Sequence, residues 1–148
     1  VLGEGDFAAA ALRKWADASL NLLIRGDSLE QPIYAGDVIR AIAAGITKAD
    51  LDDVVLDLAG PESMSRRDLT RRAANLMGNR PRSLSLPLAV GTTLAFLLEK
   101  ISKNPPVTRA MLGVLDHDDD LDTAGACKRL GIELTPLDEM LLNCLKSD

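Results

Sequence analysis

Two stretches in the first half of the chain, Gln31–Ile42 and Val54–Ser65, each lead from a short extended run through a glycine or proline bend toward a helix-forming pattern. Such strand-turn-helix units constrain the fold more than any other feature. A strand has a face to bury and a helix has a stripe, so each must find a packing layer. The expectation is an α+β architecture with about five helices and a few short strands. The chain has 148 residues, enough for one modest core, so residues 1–148 are expected to form a single domain.

Periodicity and punctuation place the elements. Phe7, Ala8, Ala11, Leu12, Trp15, Ala18 and Leu22 fall at helical spacing, which predicts an amphipathic helix over about residues 6–20 with Asp6 at its N-cap. Leu22–Ile24 and Gln31–Ile33 read as extended runs separated by the turn-forming Arg25-Gly26-Asp27-Ser28, so a hairpin-like element is expected. Asp37 stands as the cap of a second helix with Val38, Ile39, Ile42, Ala43 and Ile46 on its apolar face. Val54–Leu58 is β-branched and short enough for a buried strand, ended by Gly60-Pro61. Ser65 and Asp68 have capping-box spacing, and Leu69, Ala73, Leu76 and Met77 carry a third helix to Gly78.

Further on, Ser83–Leu86 alternates like a strand. Pro87 suits the first turn of a helix reaching about Ile101, whose apolar run is too short to span a bilayer and reads as a core helix. Asn104-Pro105-Pro106 then breaks the chain before a short helix from Thr108 to Leu115. Thr135-Pro136, followed by Asp138 and Glu139, opens a last helix with Leu137, Met140, Leu141, Cys144 and Leu145 as its buried stripe.

The formal net charge of −5 argues against nucleic acid as the partner, because phosphate binding draws on clustered Lys and Arg. Arg66, Arg67, Arg71 and Arg72, with Arg80 and Arg82 beyond, read as the polar face of the third helix, with Asp68 and Arg72 paired one turn apart. The two cysteines, Cys127 and Cys144, form no metal-binding pattern and suit a reduced, cytoplasmic chain. Asp116, Asp118 and Asp120 have the opening spacing of a calcium loop, yet Leu121 stands where that loop needs Gly and Cys127 where it needs Glu. The segment, with the single histidine His117, reads as a solvated acidic loop.

Gly3-Glu4-Gly5-Asp6-Phe7-Ala8 fits the letters of a dinucleotide fingerprint without the strand that must precede it, and reads instead as a bend that starts a helix. Tyr34 is the only tyrosine, and Val38 stands four residues on, so no lysine is placed to activate its phenol.

In order, Val1-Leu2-Gly3-Glu4-Gly5-Asp6, Gln31–Val38, Leu58-Ala59-Gly60-Pro61-Glu62 with Ser65–Leu69, and Ala126–Glu139 resemble the carboxyl-terminal portion of extended and atypical short-chain dehydrogenase/reductases, the NAD(P)-dependent epimerase/dehydratase group. Glu4 departs from that group's usual Pro, and Gly36 from its first Asp. The group's Gly-rich phosphate loop and Tyr-x-x-x-Lys pair are missing. The resemblance therefore implies the substrate-binding lobe of a Rossmann-type enzyme without its nucleotide-binding half. It implies no catalytic residue and no cofactor in this chain, and NAD(P) in the parent protein. Val1, Leu2, Gly3, Asp6, Gln31 and Ile33 would line the substrate side, by positional match, and the substrate would be a nucleotide sugar or similar small carbonyl or alcohol. The alternative is a non-catalytic structural or protein-binding module of the same superfamily. A chain lacking its other half should expose apolar surface and self-associate.

Overall fold

The structure, a computed structural model, describes residues 1–48, 51, 53–102, 108–113 and 118–146. Three helices build the core: α1 (Phe7–Asp17), α3 (Arg66–Leu76) and α7 (Leu137–Lys146). Asp6 caps α1 as its position suggests, accepting the Ala9 N–H at 2.6 Å. Ser65 caps α3, its Oγ accepting the Asp68 N–H at 3.1 Å. Ala9, Leu12 and Ala16 of α1 meet Leu69, Ala73 and Ala74 of α3 and the whole expected stripe of α7, Leu137, Met140, Leu141, Cys144 and Leu145. Alanines at the α1–α3 contact let the two backbones approach closely.

Around this core lie α2 (Ala35–Thr47), α4 (Leu88–Ile101), α5 (Arg109–Gly113) and α6 (Ala124–Leu130), with strands β1 (Leu20–Ile24), β2 (Leu29–Glu30), β3 (Met64–Ser65) and β4 (Arg82–Leu86). The architecture is mixed α+β, as expected, with more helical segments than the pattern suggested. α6 escaped because it is short, and its end is set by Gly131 in the left-handed region at φ 67°.

The hairpin is not formed. β1 pairs in parallel with β4, Leu20 opposite Arg82 through Ile24 opposite Leu86, while β2 pairs antiparallel with β3. The turn at 25–28 does reverse the chain, Ser28 N–H reaching Arg25 O at 2.9 Å. However, Leu86 O takes the Arg25 N–H at 2.8 Å and Ser85 Oγ takes the Gly26 N–H at 2.9 Å. The groups that a hairpin would use are held by β4 instead.

Three other expectations change. Asp37 lies in the first turn of α2, whose N-cap position is Tyr34. The Asp37 side chain is 0% exposed and leaves its helix to accept Thr135 N–H at 2.8 Å and Thr135 Oγ–H at 2.7 Å. Val54–Leu58 joins no ladder among the described residues. The helix from Pro87 is present as α4, but only Gly91 and Ala95 of it are buried, so it covers β1 with a narrow edge, Gly91 against Ile24, and turns its larger side chains outward. The break at 104–106, the acidic residues 116–117 and the end of the short helix after Thr108 lie outside the described residues.

Candidate functional site

The Leu2 main chain joins the bend at the start of the chain to the first strand-turn-helix unit: Leu2 N–H meets Ile33 O at 2.8 Å, and Ala35 N–H meets Leu2 O at 2.7 Å. This bridge, with α1 beside it, closes one end of a groove of about 630 Å³ between α1, β1, β2 and the start of α3. That size suits a small-molecule site. The face of α1 is split. Leu12 reaches the core, whereas Phe7, Ala8, Ala11 and Trp15 form a wall of the groove. Trp15 and Phe7 had no sequence signal separating them from core positions, since both belong to one apolar arc of a helix with two apolar neighbours.

Of the six positions matched to the substrate side, Val1, Leu2 and Gln31 stand on the groove wall. Gly3, Asp6 and Ile33 are set behind it. Gly3 donates its N–H to Asp6 Oδ2 at 2.7 Å, and Ile33 is buried with its carbonyl on Leu2. The Gln31 amide is fully engaged. Its Nε2 donates to Gly60 O at 2.9 Å and Leu121 O at 3.0 Å, and its Oε1 accepts Leu121 N–H at 2.7 Å.

The polar end of the groove is an ion pair. Arg66 pairs with Glu30 through Nε and Nη2 and donates from Nη1 to Ile24 O at 3.2 Å. Sequence spacing alone could not join residues so far apart; β2 pairing with β3 brings them together. The other arginines of α3 are also matched. Arg67 meets Asp27, Arg71 meets Asp68, and Arg72 bridges Glu62 and Asp138. The expected Asp68–Arg72 pair is thus replaced by Asp68–Arg71 at i, i+3, because Glu62 and Asp138 draw Arg72 toward α7.

These residues do not fit a dinucleotide phosphate. The Asp6 carboxylate takes the Gly3 and Ala9 N–H groups, the donors that a phosphate at this helix start would need. Tyr34 donates its O–H to Glu4 Oε1 at 3.0 Å. That bond to an anion, together with burial, holds the phenol above its ordinary range, opposite to the direction that an acid/base tyrosine requires. Among the described residues no group of three or more His, Cys, Asp or Glu side chains could hold a metal ion, and no helix is long and apolar enough to cross a membrane.

No family model matches the sequence, and no curated protein does. Solved structures do match the fold. The triphenylmethane reductase of Citrobacter sp. aligns at a TM-score of 0.73 with 17% identity, over 97% of this chain and 50% of that one. The crystal structure of gox2253 aligns at 0.69 with 17% identity, over 97% of this chain and 45% of its own. RMD from Pseudomonas aeruginosa, complexed with NADPH, aligns at 0.63 with 13% identity, over 99% and 44%. This chain therefore has the fold of about half of each of these larger chains, two of them reductases or NADPH complexes by name.

Proposed function

We propose that this chain is the substrate-side half of an NAD(P)-dependent reductase- or epimerase-like protein of the short-chain dehydrogenase/reductase superfamily, with the cofactor loop and the acid/base pair in a segment encoded before Val1. The observation that carries the reading is the match of nearly the whole chain to half of a triphenylmethane reductase. The groove beside Val1 and Leu2 supports it as the place where a small carbonyl or alcohol substrate meets that other half. The finer expectation of a nucleotide sugar gains no support from the charge of the groove.

The surface of α2 is the proposed seat of the missing half. Ile39 is 67% exposed, Ile42 58% and Ile46 81%, and Val55 in the unpaired extended stretch is 91% exposed. They offer an apolar helix face and an unpaired stretch of chain, the two features that a parallel sheet with covering helices would take up. Without that half, the same surface makes the chain self-associate in its cytoplasmic setting, which light scattering at high concentration tests: a clean monomer counts against it.

The decisive experiment joins this chain to the segment encoded upstream and titrates NADPH by fluorescence. Saturable binding is expected for the joined protein and none for this chain alone. Micromolar binding by this chain alone, or an upstream segment without G-x-x-G-x-x-G, overturns the reading. A second reading, a non-catalytic protein-binding module, is favoured by α4, whose Val90, Leu94, Leu97 and Ile101 are exposed at the alternating spacing of a helix-pairing seam. It predicts an upstream segment with a degraded phosphate loop and no Tyr-x-x-x-Lys.

A further inference from the structure

We infer that the groove takes a flat apolar molecule carrying no negative charge, an aromatic or conjugated carbonyl compound, in preference to any nucleoside-diphosphate-linked substrate. The inference rests on the reading of this chain as a substrate-side half, and it specifies what that half selects. Three observations carry it.

The first is the wall. Phe7, Ala8, Ala11 and Trp15 present one continuous face of α1, and Leu29 and Pro32 stand among the residues of the other side. Phe7 is 84% exposed, so its ring is solvated and ready for a partner. Flat rings stack favourably on aromatic side chains of this kind.

The second is charge. A diphosphate needs cations or free N–H groups to replace its hydration. Among the described residues lining the groove, the only cationic side chain is Arg66 and the carboxylates are Glu30 and Asp119. Arg66 cannot be lent to a ligand cheaply. Its Nε and Nη2 are on Glu30, its Nη1 is on Ile24 O, and withdrawing it would leave the Glu30 carboxylate unpaired beside an apolar wall. A phosphate would thus meet side chains that supply one engaged arginine and two carboxylates.

The third is that the helix starts at the groove are already occupied. At α3 the Arg66 and Arg67 N–H groups are on Ser28 O and Gly26 O at 2.9 Å and the Asp68 N–H is on Ser65 Oγ at 3.1 Å. At α1 the Ala9 N–H is held by Asp6 Oδ1 at 2.6 Å and the neighbouring Gly3 N–H by Oδ2 at 2.7 Å. A carboxylate on the protein stands where a phosphate oxygen would be received.

Trp15 supplies the assay, being the only tryptophan of the chain. Its single indole N–H resonance is followed by NMR while 2-naphthaldehyde or uridine diphosphate glucose is added to this chain. The naphthaldehyde is expected to shift it saturably, with an affinity at least about tenfold above that of the nucleotide sugar. Ala8→Glu, at an exposed position in the first turn of α1, should weaken the naphthaldehyde at least about tenfold with an unchanged circular dichroism spectrum. Tighter or equal binding of the nucleotide sugar overturns the inference and leaves the substrate-side reading standing. A response to neither ligand, or an Ala8→Glu variant that binds unchanged, also overturns it. The NADPH titration of the joined protein fails or succeeds independently of these outcomes.

Discussion

Replacing Asp37 by alanine should destabilise the chain by about 3 kcal/mol. Its carboxylate is completely buried and holds Thr135 through both the backbone N–H and the hydroxyl, while pairing with Arg40. Two Thr135 donors lose their acceptor, at about 1–3 kcal/mol for a buried group left unsatisfied. The Arg40 share is small, because its side chain is 49% exposed and can be rehydrated. The remaining loss is a large fraction of the 5–15 kcal/mol that stabilises a typical domain. Asp37→Asn should cost less, about 2 kcal/mol, since its amide keeps one acceptor oxygen but turns an N–H₂ group toward the other donors. Urea unfolding followed by circular dichroism measures both. Thr135→Val completes a double-mutant cycle, and the double variant should cost less than the sum of the single ones, because the same bond is removed twice. A loss below about 1 kcal/mol for Asp37→Ala, or strict additivity, would refute the claim that this contact ties α2 to the segment entering α7.

Ser65→Ala removes the acceptor for the Asp68 N–H and should cost about 1 kcal/mol in the same unfolding assay. Gly60→Ala would put a Cβ 1.8 Å from Pro32 O, so the loss should be near 3 kcal/mol, and a fully stable variant would disprove that close approach. Ile42→Glu, on the exposed face of α2, should change the stability of this chain by less than about 0.5 kcal/mol while abolishing its assembly with the upstream segment in a pull-down. Burial, reinforced by Asp6 and Glu4, pushes the Cys144 thiol up to about 11. Because the folded value is raised above the unfolded one of about 8.5, its contribution is complete below that pH and lost as pH rises toward 11. A Cys144→Ala variant should therefore show a shallower alkaline decline in stability than the parent chain.

What the sequence made legible was local. The caps Asp6 and Ser65 and the stripe of α7 depend on residues within one or two turns, and physical rules with that range identify them. The errors share a different cause. Proximity along the chain pairs β1 with the nearest extended run, yet its partner is the distant β4, and nothing in the spacing of Leu22–Ile24 distinguishes the two. Asp37 has the residue type of a cap, but a buried carboxylate serves whichever donors the tertiary fold delivers, and here Thr135 arrives from far along the chain. The ion pair of Arg66 and Glu30 at the groove was invisible for the same reason.

The apolar face of α2 differs from these in kind. Period alone puts Val38, Ile39, Ile42, Ala43 and Ile46 on one apolar face, and the chain leaves Ile39, Ile42 and Ile46 in water, the kind of exposed apolar patch that marks an interaction surface. The core of α1, α3 and α7 does not depend on that face, so folding and assembly can be perturbed separately. The link between them is Gly60. Its carbonyl accepts from Gln31 Nε2 and its N–H reaches Gln31 O at 3.3 Å, so the stretch that includes the exposed Val55 ends against Gln31, a residue of the groove wall. A sheet that added Val54–Leu58 as its edge strand would therefore fix the position of Gln31, and with it the polar rim of the groove. If the proposed reading holds, docking of the other half and ordering of the groove rim are then one structural event.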